Sequence, residues 1–431
     1  MLINAETCVE SISENKKETR NRDLVNNSNK SRALYSLYEW LQESSHIEIT
    51  GRIFQGLPHR EVTAKYSSLN ADYNNLIHLG SYNYSGLNGH PEIIKSAKMA
   101  LDKYGITTSG VRLLNGTSDL HVQLEKQLAN FLGFEDCVTY SSGYAANISV
   151  LNTICSEKDI VFSDELNHQS LIDGLKLSGA TIIKFPHKDY VALEASLKTY
   201  PIIQRKHIIT DGIFSMDGDI ADLTSLAALA NKYNTFLVVD DAHATAALGP
   251  YGRGTPAHFN IEDEIDILTG SLSKGLPGVG GFAACSKKTA QLLRYGSNGY
   301  IFSASVPVPV IAGLLTAISI LQENPEIQEK LHKNEVLLRD GIRDIGLNVL
   351  HSETPIIPIV LTNRDIAFQL AKCLHENGIY ANPICFPAVS RHHPRLRLNA
   401  SASLTEKDID YTLITLRKIA TKLKIINKDI T

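Results

Sequence analysis

Short apolar runs alternate with stretches of helical periodicity between residues 91 and 286. Leu120, Leu124, Leu128 and Leu132 fall on one face of a predicted helix, and Gly133 follows them as a C-cap. The candidate strands lie at residues 137–140, 160–163, 181–185, 207–210, 236–240 and 265–270. Because these strands are apolar without alternation, they are predicted to be buried on both faces, as in a parallel sheet covered by helices.

The last third of the chain has a different pattern. Two helical stretches, 310–322 and 326–345, come first. Candidate strands at 356–360 and 396–399 and helices at 366–377 and 406–423 then follow. This order favours a smaller α+β domain after the large α/β domain.

The first 45 residues differ from both parts. Residues 11–32 are polar and rich in Asn, Lys and Glu, which favours a flexible tail or a solvated helix. Residues 34–41 are amphipathic, with Tyr35, Tyr38 and Trp40 available for docking. The predicted organisation is a polar extension at 1–45, an N-terminal arm at 46–90, a large α/β domain at 91–310 and a small α+β domain at 311–431.

Composition and charge narrow the class of protein. With 42 Lys and Arg against 46 Asp and Glu, the net charge of −4 argues against non-specific nucleic-acid binding. The six cysteines are scattered without a CxxC motif or a Cys/His cluster, so neither a disulfide framework nor a metal site is predicted. No secretory signal and no membrane-spanning run is visible. We therefore expect a cytoplasmic protein.

Chemically useful residues follow two of the predicted strands. The strand at 236–240 ends in Asp240 and Asp241, with His243 close behind, and the strand near residue 268 leads to Lys274. Ligands of open parallel sheets bind beyond the carboxyl ends of the strands. Both segments are thus expected to face one crevice.

Lys274 lies among serines and glycines, which leaves two kinds of site open. The segment lacks the Gly-Lys-Ser/Thr order of a P-loop, and no dinucleotide fingerprint stands between the first strand and helix. The alternative is a Schiff-base lysine for pyridoxal 5′-phosphate (PLP), which needs an amine, an acid for its ring nitrogen and donors for its phosphate. Asp240, Lys274 and the neighbouring hydroxyl groups meet these needs.

Three further strands also end in polar groups. Ser142, Gly143 and Tyr144 follow the strand at 137–140 and precede a helix, where backbone N–H groups can hold a phosphate. His168 follows the next strand, and a polar segment that includes Ser215 follows the strand at 207–210. Each feature alone is compatible with an ordinary helix cap or a structural histidine, but five such strand ends together favour a PLP site.

In these motifs the chain resembles the α-oxoamine synthase family, a group of fold-type I PLP enzymes. The resemblance rests on the segments LGSYNYSGL, SGVRLLNGTSDLHVQLE, YSSGYAAN, SDELNHQSLIDGLKLSGA, TDGIFSMDGD, VVDDAHATAALGPYGRGTP and TGSLSKGLPGVGG, and it covers residues 75–420. It implies a large domain with a mostly parallel seven-stranded sheet, a smaller C-terminal α+β domain and a homodimer with shared active sites. It also implies PLP as cofactor.

The resemblance also implies a role for each matching residue. Lys274 would bind the cofactor covalently, Asp240 would pair its ring nitrogen, His243 would contact its 3-oxygen, and His168 would stack on its ring and contact the substrate. The residues that match other cofactor contacts are Ser142, Gly143, Tyr144, Ser215, Ser271 and Ser303, the last supplied across the dimer. Arg397 matches the arginine that binds the substrate carboxylate, and Tyr82 and Asn83 complete the predicted substrate site.

The implied reaction condenses Gly, Ala or Ser with an acyl thioester of coenzyme A or an acyl carrier protein, usually with decarboxylation, to give an α-amino ketone. Three departures from the family pattern leave the substrates open: Leu404 replaces a histidine, Ser85 and Gly86 alter a motif, and Pro277 interrupts a glycine run. An aminotransferase or a carbon–carbon lyase on the same fold is the alternative reaction. A non-catalytic partner subunit is the alternative from another class.

Overall fold

The structure is a computed structural model that describes residues 29–44, 47–50, 52–66 and 72–426. The chain divides into two compact units, one of residues 1–53 and 66–71, the other of residues 54–65 and 72–431. The first unit contains helices α1 (Asn29–Glu43) and α2 (Ile47–Thr50), and strand β1 (Arg52–Gln55) crosses its boundary. Tyr35 and Tyr38 on α1 are exposed, and the first 28 residues of the predicted extension lie outside the described residues.

The second unit contains the remaining elements. Its strands are β2 (Glu61–Tyr66), β3 (Asp72–His78), β4 (Asp136–Tyr140), β5 (Ile160–Asp164), β6 (Thr181–Phe185), β7 (Lys206–Asp211), β8 (Phe236–Asp240), β9 (Ile267–Ser271), β10 (Gly281–Cys285), β11 (Ile356–Val360), β12 (Ile379–Tyr380), β13 (Asn382–Ile384) and β14 (Arg395–Asn399). Its helices are α3 (Pro91–Tyr104), α4 (Asp119–Leu132), α5 (Gly143–Ile154), α6 (Gln169–Ser178), α7 (Tyr190–Leu197), α8 (Leu223–Lys232), α9 (Thr255–Phe259), α10 (Lys287–Gly296), α11 (Asn298–Ile301), α12 (Val308–Glu323), α13 (Glu326–Asp344), α14 (Arg364–Glu376) and α15 (Glu406–Lys422). Within the described ranges no helix is both long and apolar enough to cross a membrane.

A seven-stranded sheet forms the centre of the second unit, in the order β4-β10-β9-β8-β7-β5-β6. Neighbouring strands are parallel except at β10, which runs antiparallel to both β4 and β9. The predicted fold class is therefore confirmed, and all six predicted strands are present with small shifts at their ends. The pattern missed β10, because its small residues Ala283 and Ala284 have low strand propensity and lack a distinctive periodicity.

Strand register brings the chemically useful strand ends to one edge. Asp240 on β8 lies opposite Asp211 on β7 and Thr269 on β9. The parallel direction of these three strands puts the loops that carry His243 and Lys274 on the same side. The sheet thus brings together Asp211, Asp240 and Lys274, which are 29 to 63 residues apart in the chain.

A smaller antiparallel sheet, in the order β11-β14-β13, follows in the C-terminal part and places Arg397 on its central strand. Strand β12 pairs with β3 in parallel, so the N-terminal arm and the C-terminal part share a second small sheet. The C-terminal α+β pattern is thus present. The domain boundaries at 46–90, 91–310 and 311–431 stay a prediction.

A buried ion pair ties the loop before α4 to β4. The Arg112 guanidinium donates to Glu125 Oε1 over 2.8 Å and to Thr139 Oγ1 over 2.6 Å. Glu125 in turn accepts the backbone N–H of Thr139 over 2.9 Å. Both charged side chains are almost fully buried, so each of them depends on the other.

His187 joins the carboxyl ends of β5 and β6 to the segment before α8. Its Nδ1 lies 3.0 Å from Asp164 Oδ1, and its Nε2 lies 2.9 Å from Asp219 Oδ2. Burial of the ring opposes protonation, but the hydrogen bonds to these two carboxylates outweigh it and raise the pKa of His187 to about 9. The side chain therefore acts as a charged link near neutral pH.

We expect His187→Gln to lower the free energy of unfolding by roughly 3 kcal/mol at pH 6, because a rise in pKa of this size corresponds to about that much stabilisation of the folded state. The native state holds this proton more tightly than the unfolded chain. The stabilisation is thus complete below pH ~6.5, the ordinary histidine pKa, and is lost as the pH rises through about 9. Urea unfolding of both proteins from pH 6 to 10 measures the difference. The exposed His392, changed to Gln, is the control, and a difference independent of pH would contradict the charged link.

Candidate active site

Lys274 lies just beyond the end of β9 and borders a cavity of about 360 Å³. Tyr82 and Asn83 line the same cavity. The amine makes no hydrogen bond or ion pair with any residue that the structure describes. Burial lowers the pKa of Lys274, and Asp240 and Asp211 oppose this shift only in part. A lysine in this state has an amine available for chemistry rather than for a structural contact.

Asp240 is buried at the end of β8 and is held from two sides. Its Oδ1 accepts the backbone N–H of Ala242 over 3.0 Å, and its Oδ2 accepts Asn147 Nδ2 over 2.6 Å. The carboxylate keeps free lone pairs in this arrangement. It can therefore accept a further hydrogen bond from a protonated ring nitrogen.

His243 follows Asp240 in the next loop and is also buried. Its Nδ1 lies 2.8 Å from the hydroxyl of Tyr84, and its ring meets that of Tyr82 edge-on at 5.9 Å. Burial, with a contribution from Lys274, lowers the pKa of His243 well below its usual range. The ring is thus neutral, with its orientation set by Tyr84.

His168 caps helix α6, and its Nδ1 accepts from the backbone N–H of Ser170. The side chain is exposed to solvent in the single chain, although the groups packed around its ring desolvate it. This desolvation lowers the pKa of His168, with Asp240 and Lys274 acting in opposite directions. The open part of the ring is a surface that a cofactor or substrate can cover.

Serine hydroxyl groups and the start of helix α5 form a group next to these residues. Ser142 is the N-cap of α5, which leaves the N–H groups of Gly143 and Tyr144 in its first turn. Ser271 Oγ lies 2.8 Å from Ser273 Oγ at the end of β9. A Cβ on Gly143 would come within 3.1 Å of the Ser271 side chain, so glycine permits this close approach.

Ser303 belongs to the same region. Its hydroxyl donates to Ser141 Oγ over 3.1 Å in the same chain, one residue before the N-cap of α5. The sequence assigned Ser303 to the active site of the other subunit, and that assignment stays a prediction. Together with the first turn of α5, these hydroxyl groups supply the donors that a phosphate requires.

Arg397 lies on β14 and is almost fully buried. Its Nη1 donates to the carbonyl of Ser215 over 2.7 Å, and its Cζ lies 4.8 Å from the ring centre of Tyr82. Its Nε has no hydrogen-bond partner in the described part of the chain, and neither does Nδ2 of Asn83. Buried donors without partners are costly, and a ligand carboxylate would satisfy them.

The site also contains residues that had no predicted role. Asn147, Asp211, Ser170 and Tyr84 are all buried and bond to predicted site residues. Asn147 follows Gly143 by about one helical turn, a spacing that places both on one side of α5. Asp211 was recognisable as a polar strand end, but the distance between strands was not readable from the sequence.

The residues present match the requirements of PLP. An amine without a partner among the described residues, a buried carboxylate with free lone pairs, a group of hydroxyls at a helix start and a partly exposed imidazole lie around one edge of the sheet. Ser215 contacts Arg397 through its carbonyl, and its predicted place near the cofactor's 3-oxygen stays a prediction.

Comparison with known proteins agrees with this chemistry. The family model of aminotransferase class I and II matches residues 74–416. An 8-amino-7-oxononanoate synthase of Bacillus velezensis is 40% identical over 82% of this chain and 90% of its own length. A 4-hydroxy-2,2′-bipyrrole-5-methanol synthase of Serratia is 36% identical over 82% of this chain and 54% of its own length.

Among solved structures, a variant of serine palmitoyltransferase from S. paucimobilis with a bound PLP–myriocin aldimine superposes with a TM-score of 0.88. It is 29% identical and covers 94% of this chain and all of that chain. The predicted family, fold class and cofactor are confirmed. The chain belongs to the aminotransferase class I and II family and, within it, to the α-oxoamine synthases, which are PLP-dependent acyltransferases.

Proposed function

We propose that this enzyme joins a small α-amino acid (Gly, Ala or Ser) to an acyl thioester and usually releases CO₂, giving an α-amino ketone. The observation that carries the proposal is the buried guanidinium of Arg397, whose Nε has no partner among the described residues. Tyr82 connects the two groups, because its ring lies under the Arg397 guanidinium and also lines the cavity that Lys274 borders. An amino acid is a ligand that offers one carboxylate and one amine to such a pair.

We infer that Lys274, Asp240, His243 and His168 hold the PLP ring, and that Ser142, Gly143, Tyr144, Ser271 and Ser303 hold its phosphate. When bound, the cofactor supplies an aldehyde that reacts with amines and an electron sink that weakens the bonds to the α-carbon. The carboxylate of Asp240 keeps the ring nitrogen protonated, which maintains that sink. The predicted contact of Ser215 with the 3-oxygen belongs to this proposal.

The remaining steps are performed by the protein's own side chains. Arg397 holds the substrate carboxylate with Asn83 and Tyr82 beside it, and this orients the Cα–H bond. Lys274 takes the proton from Cα, since the lowered pKa of its amine favours the neutral form. His168 donates a hydrogen bond to the oxygen that gains charge when the thioester is attacked.

A second copy of the chain is part of the proposal. Leu114 and Phe302 expose 81% and 77% of their surface, and a β-bridge between Val111 and Ala304 brings their two segments together. An exposed apolar surface beside the site is suited to a partner subunit. Light scattering of the purified protein tests this, and a monomer with full activity would contradict it. A cytoplasmic location likewise stays a prediction.

The assay that tests the function adds glycine, alanine or serine to the PLP-loaded protein, followed by acyl-CoAs of increasing length or an acyl carrier protein. Release of a thiol with formation of an amino ketone is the expected result, and it identifies both substrates. Conversion of the cofactor to its amine form without any thioester would identify an aminotransferase. Cleavage of an amino ketone acid with coenzyme A, without net condensation, would identify the lyase, and failure to bind PLP would identify the non-catalytic subunit.

Arg397→Ala is expected to raise the KM for the amino acid by roughly 10²-fold, because it removes a charged, two-pronged contact to the carboxylate. Arg397→Lys should recover only part of this loss, since an ammonium group does not reproduce the fork of donors. Steady-state kinetics measure both effects, with Arg343→Ala on the exposed surface of α13 as the control. An unchanged KM for the amino acid in Arg397→Ala would place the carboxylate elsewhere.

A further inference from the structure

We propose that Asn147 and Ser170 are positioning residues that hold His168 with its proton on Nε2 and connect it to the carboxylate of Asp240. None of the site motifs assigned a role to these two residues. The catalytic part of this inference rests on the proposed function, in which Nε2 of His168 faces the reacting oxygen. The hydrogen-bond directions that carry it can be read from the structure alone.

The amide of Asn147 has one orientation that satisfies all its neighbours. Its Nδ2 lies 2.6 Å from Asp240 Oδ2 and 2.8 Å from Ser170 Oγ, and its Oδ1 lies 2.6 Å from the hydroxyl of Thr269. The reversed orientation would put a carbonyl oxygen against the carboxylate of Asp240. The NH₂ group thus donates to both Asp240 and Ser170.

The direction of the next hydrogen bond follows from this orientation. Since Ser170 Oγ accepts from Asn147, its own proton is free to go to His168 Nδ1, which lies 2.7 Å away. The backbone N–H of Ser170 points to the same nitrogen over 3.3 Å. Nδ1 is therefore an acceptor, and in the neutral ring the proton belongs to Nε2.

Protonation of His168 would disturb this arrangement. A second proton, on Nδ1, would face the backbone N–H of Ser170 and would require the Ser170 hydroxyl to turn from donor to acceptor. The arrangement therefore favours the neutral ring, as desolvation of the ring also does. The charged and titratable groups that face His168 are Asp173 on its own helix, Tyr144 on α5, Asp211 and Asp240 at the strand ends, and Lys274 and His243 in the loops. Asp211 accepts the backbone N–H of His168 over 3.0 Å, which fixes the main chain as well.

The first measurement is the tautomer of His168 in the full-length protein labelled with ¹⁵N-histidine, before and after loading with PLP. A His168→Gln variant assigns the signal among the 15 histidines. We expect an Nδ1 without a proton and an Nε2 with one at pH 7.5. A proton on Nδ1 in the wild type would overturn the proposal, whatever the variants do.

The second measurement compares Ser170→Ala with Ser178→Ala, a matched change at the far end of α6, where the hydroxyl donates to the Leu175 carbonyl and accepts the backbone N–H of Ala180. Ser170→Ala is expected to raise the pKa of His168 by about one pH unit, because a neutral hydrogen-bond donor to Nδ1 is lost. Asn147→Leu should shift it in the same direction by less. Equal titration curves for the Ser170 and Ser178 variants would overturn the proposal.

The pH profile of condensation links this network to catalysis. Neutral His168 is the active form, so activity falls as the pH drops through its pKa, and that acidic limb should move upward in Ser170→Ala by the same amount as in the NMR titration. If the acidic limb of the pH profile did not move in Ser170→Ala, the proposed link between this network and catalysis would be overturned. Failure of the wild type to condense any substrate would instead refute the proposed function, and the tautomer measurement would still decide the network.

Discussion

Replacing Lys274 with alanine is expected to lower the condensation rate by at least about 10³-fold, the scale of losing both a positioned base and a covalent attachment. Lys274 borders the cavity that Tyr82 also lines, and its amine makes no hydrogen bond or ion pair with any described residue, so removal of the amine breaks no such contact. We therefore expect the variant to fold normally. The visible absorbance of the lysine-bound cofactor should also be lost.

Product formation and absorbance in the Lys274→Ala variant test this, with thermal unfolding as the check on folding. Lys274→Arg should be as inactive, because a guanidinium stays protonated and cannot act as a base. Lys330→Ala on the exposed side of α13 is the control. Retention of more than a few per cent of the activity by Lys274→Ala would rule out this lysine as the base.

Replacing Arg112 with methionine is expected to lower the free energy of unfolding by about 3–5 kcal/mol, the usual effect of leaving one partner of a buried ion pair without the other. Glu125 would then keep a buried charge that is compensated by the Thr139 N–H and hydroxyl and by Arg294 Nη2, which lies 3.5 Å from its Oε2. Urea unfolding at one fixed protein concentration measures the change, since association also affects stability.

The double variant Arg112→Met with Glu125→Gln is the matched control. Glutamine removes the second charge but can still accept the N–H of Thr139, so much of the lost stability should return. Recovery indicates that the single variant suffers from an unpaired buried carboxylate. If the double variant were as unstable as the single one, loss of packing around Tyr300, which Arg112 overlies at 5.1 Å, would be the cause.

The local pattern of apolar and polar residues was enough to predict most of the strands and helices. The apolar runs at 181–185 and 236–240 correspond to β6 and β8 without any shift. Burial on both faces explains the continuous run of β8, which is buried after its first residue. The same prediction was wrong for β6, because β6 is an edge strand and most of its residues are partly or fully exposed. Asp240 and Lys274, the residues proposed to hold the cofactor, could be singled out for a related reason: parallel strands end at one edge, so polar residues at several strand ends indicate a site.

Contacts between distant segments were not predictable in this way. Asn147 and Asp240 are 93 residues apart, and Ser215 and Arg397 are 182 residues apart, yet both pairs form hydrogen bonds. Strand order and register decide these distances, and no local periodicity encodes either of them. The antiparallel β10 was missed because its small residues carry little strand signal, and its place between β4 and β9 depends on its neighbours.

The sequence by itself thus determined the fold class through its local pattern, and the family and cofactor through the resemblance of its motifs, because both depend on residue type along the chain. Only the tertiary structure decided how the proposed site groups are held: the Nε of Arg397 without a partner among the described residues, the pairing of His243 with Tyr84, and the path from Asp240 through Asn147 and Ser170 to His168. Hydrogen-bond direction and burial arise when separate segments pack together, so they exist only in the folded chain.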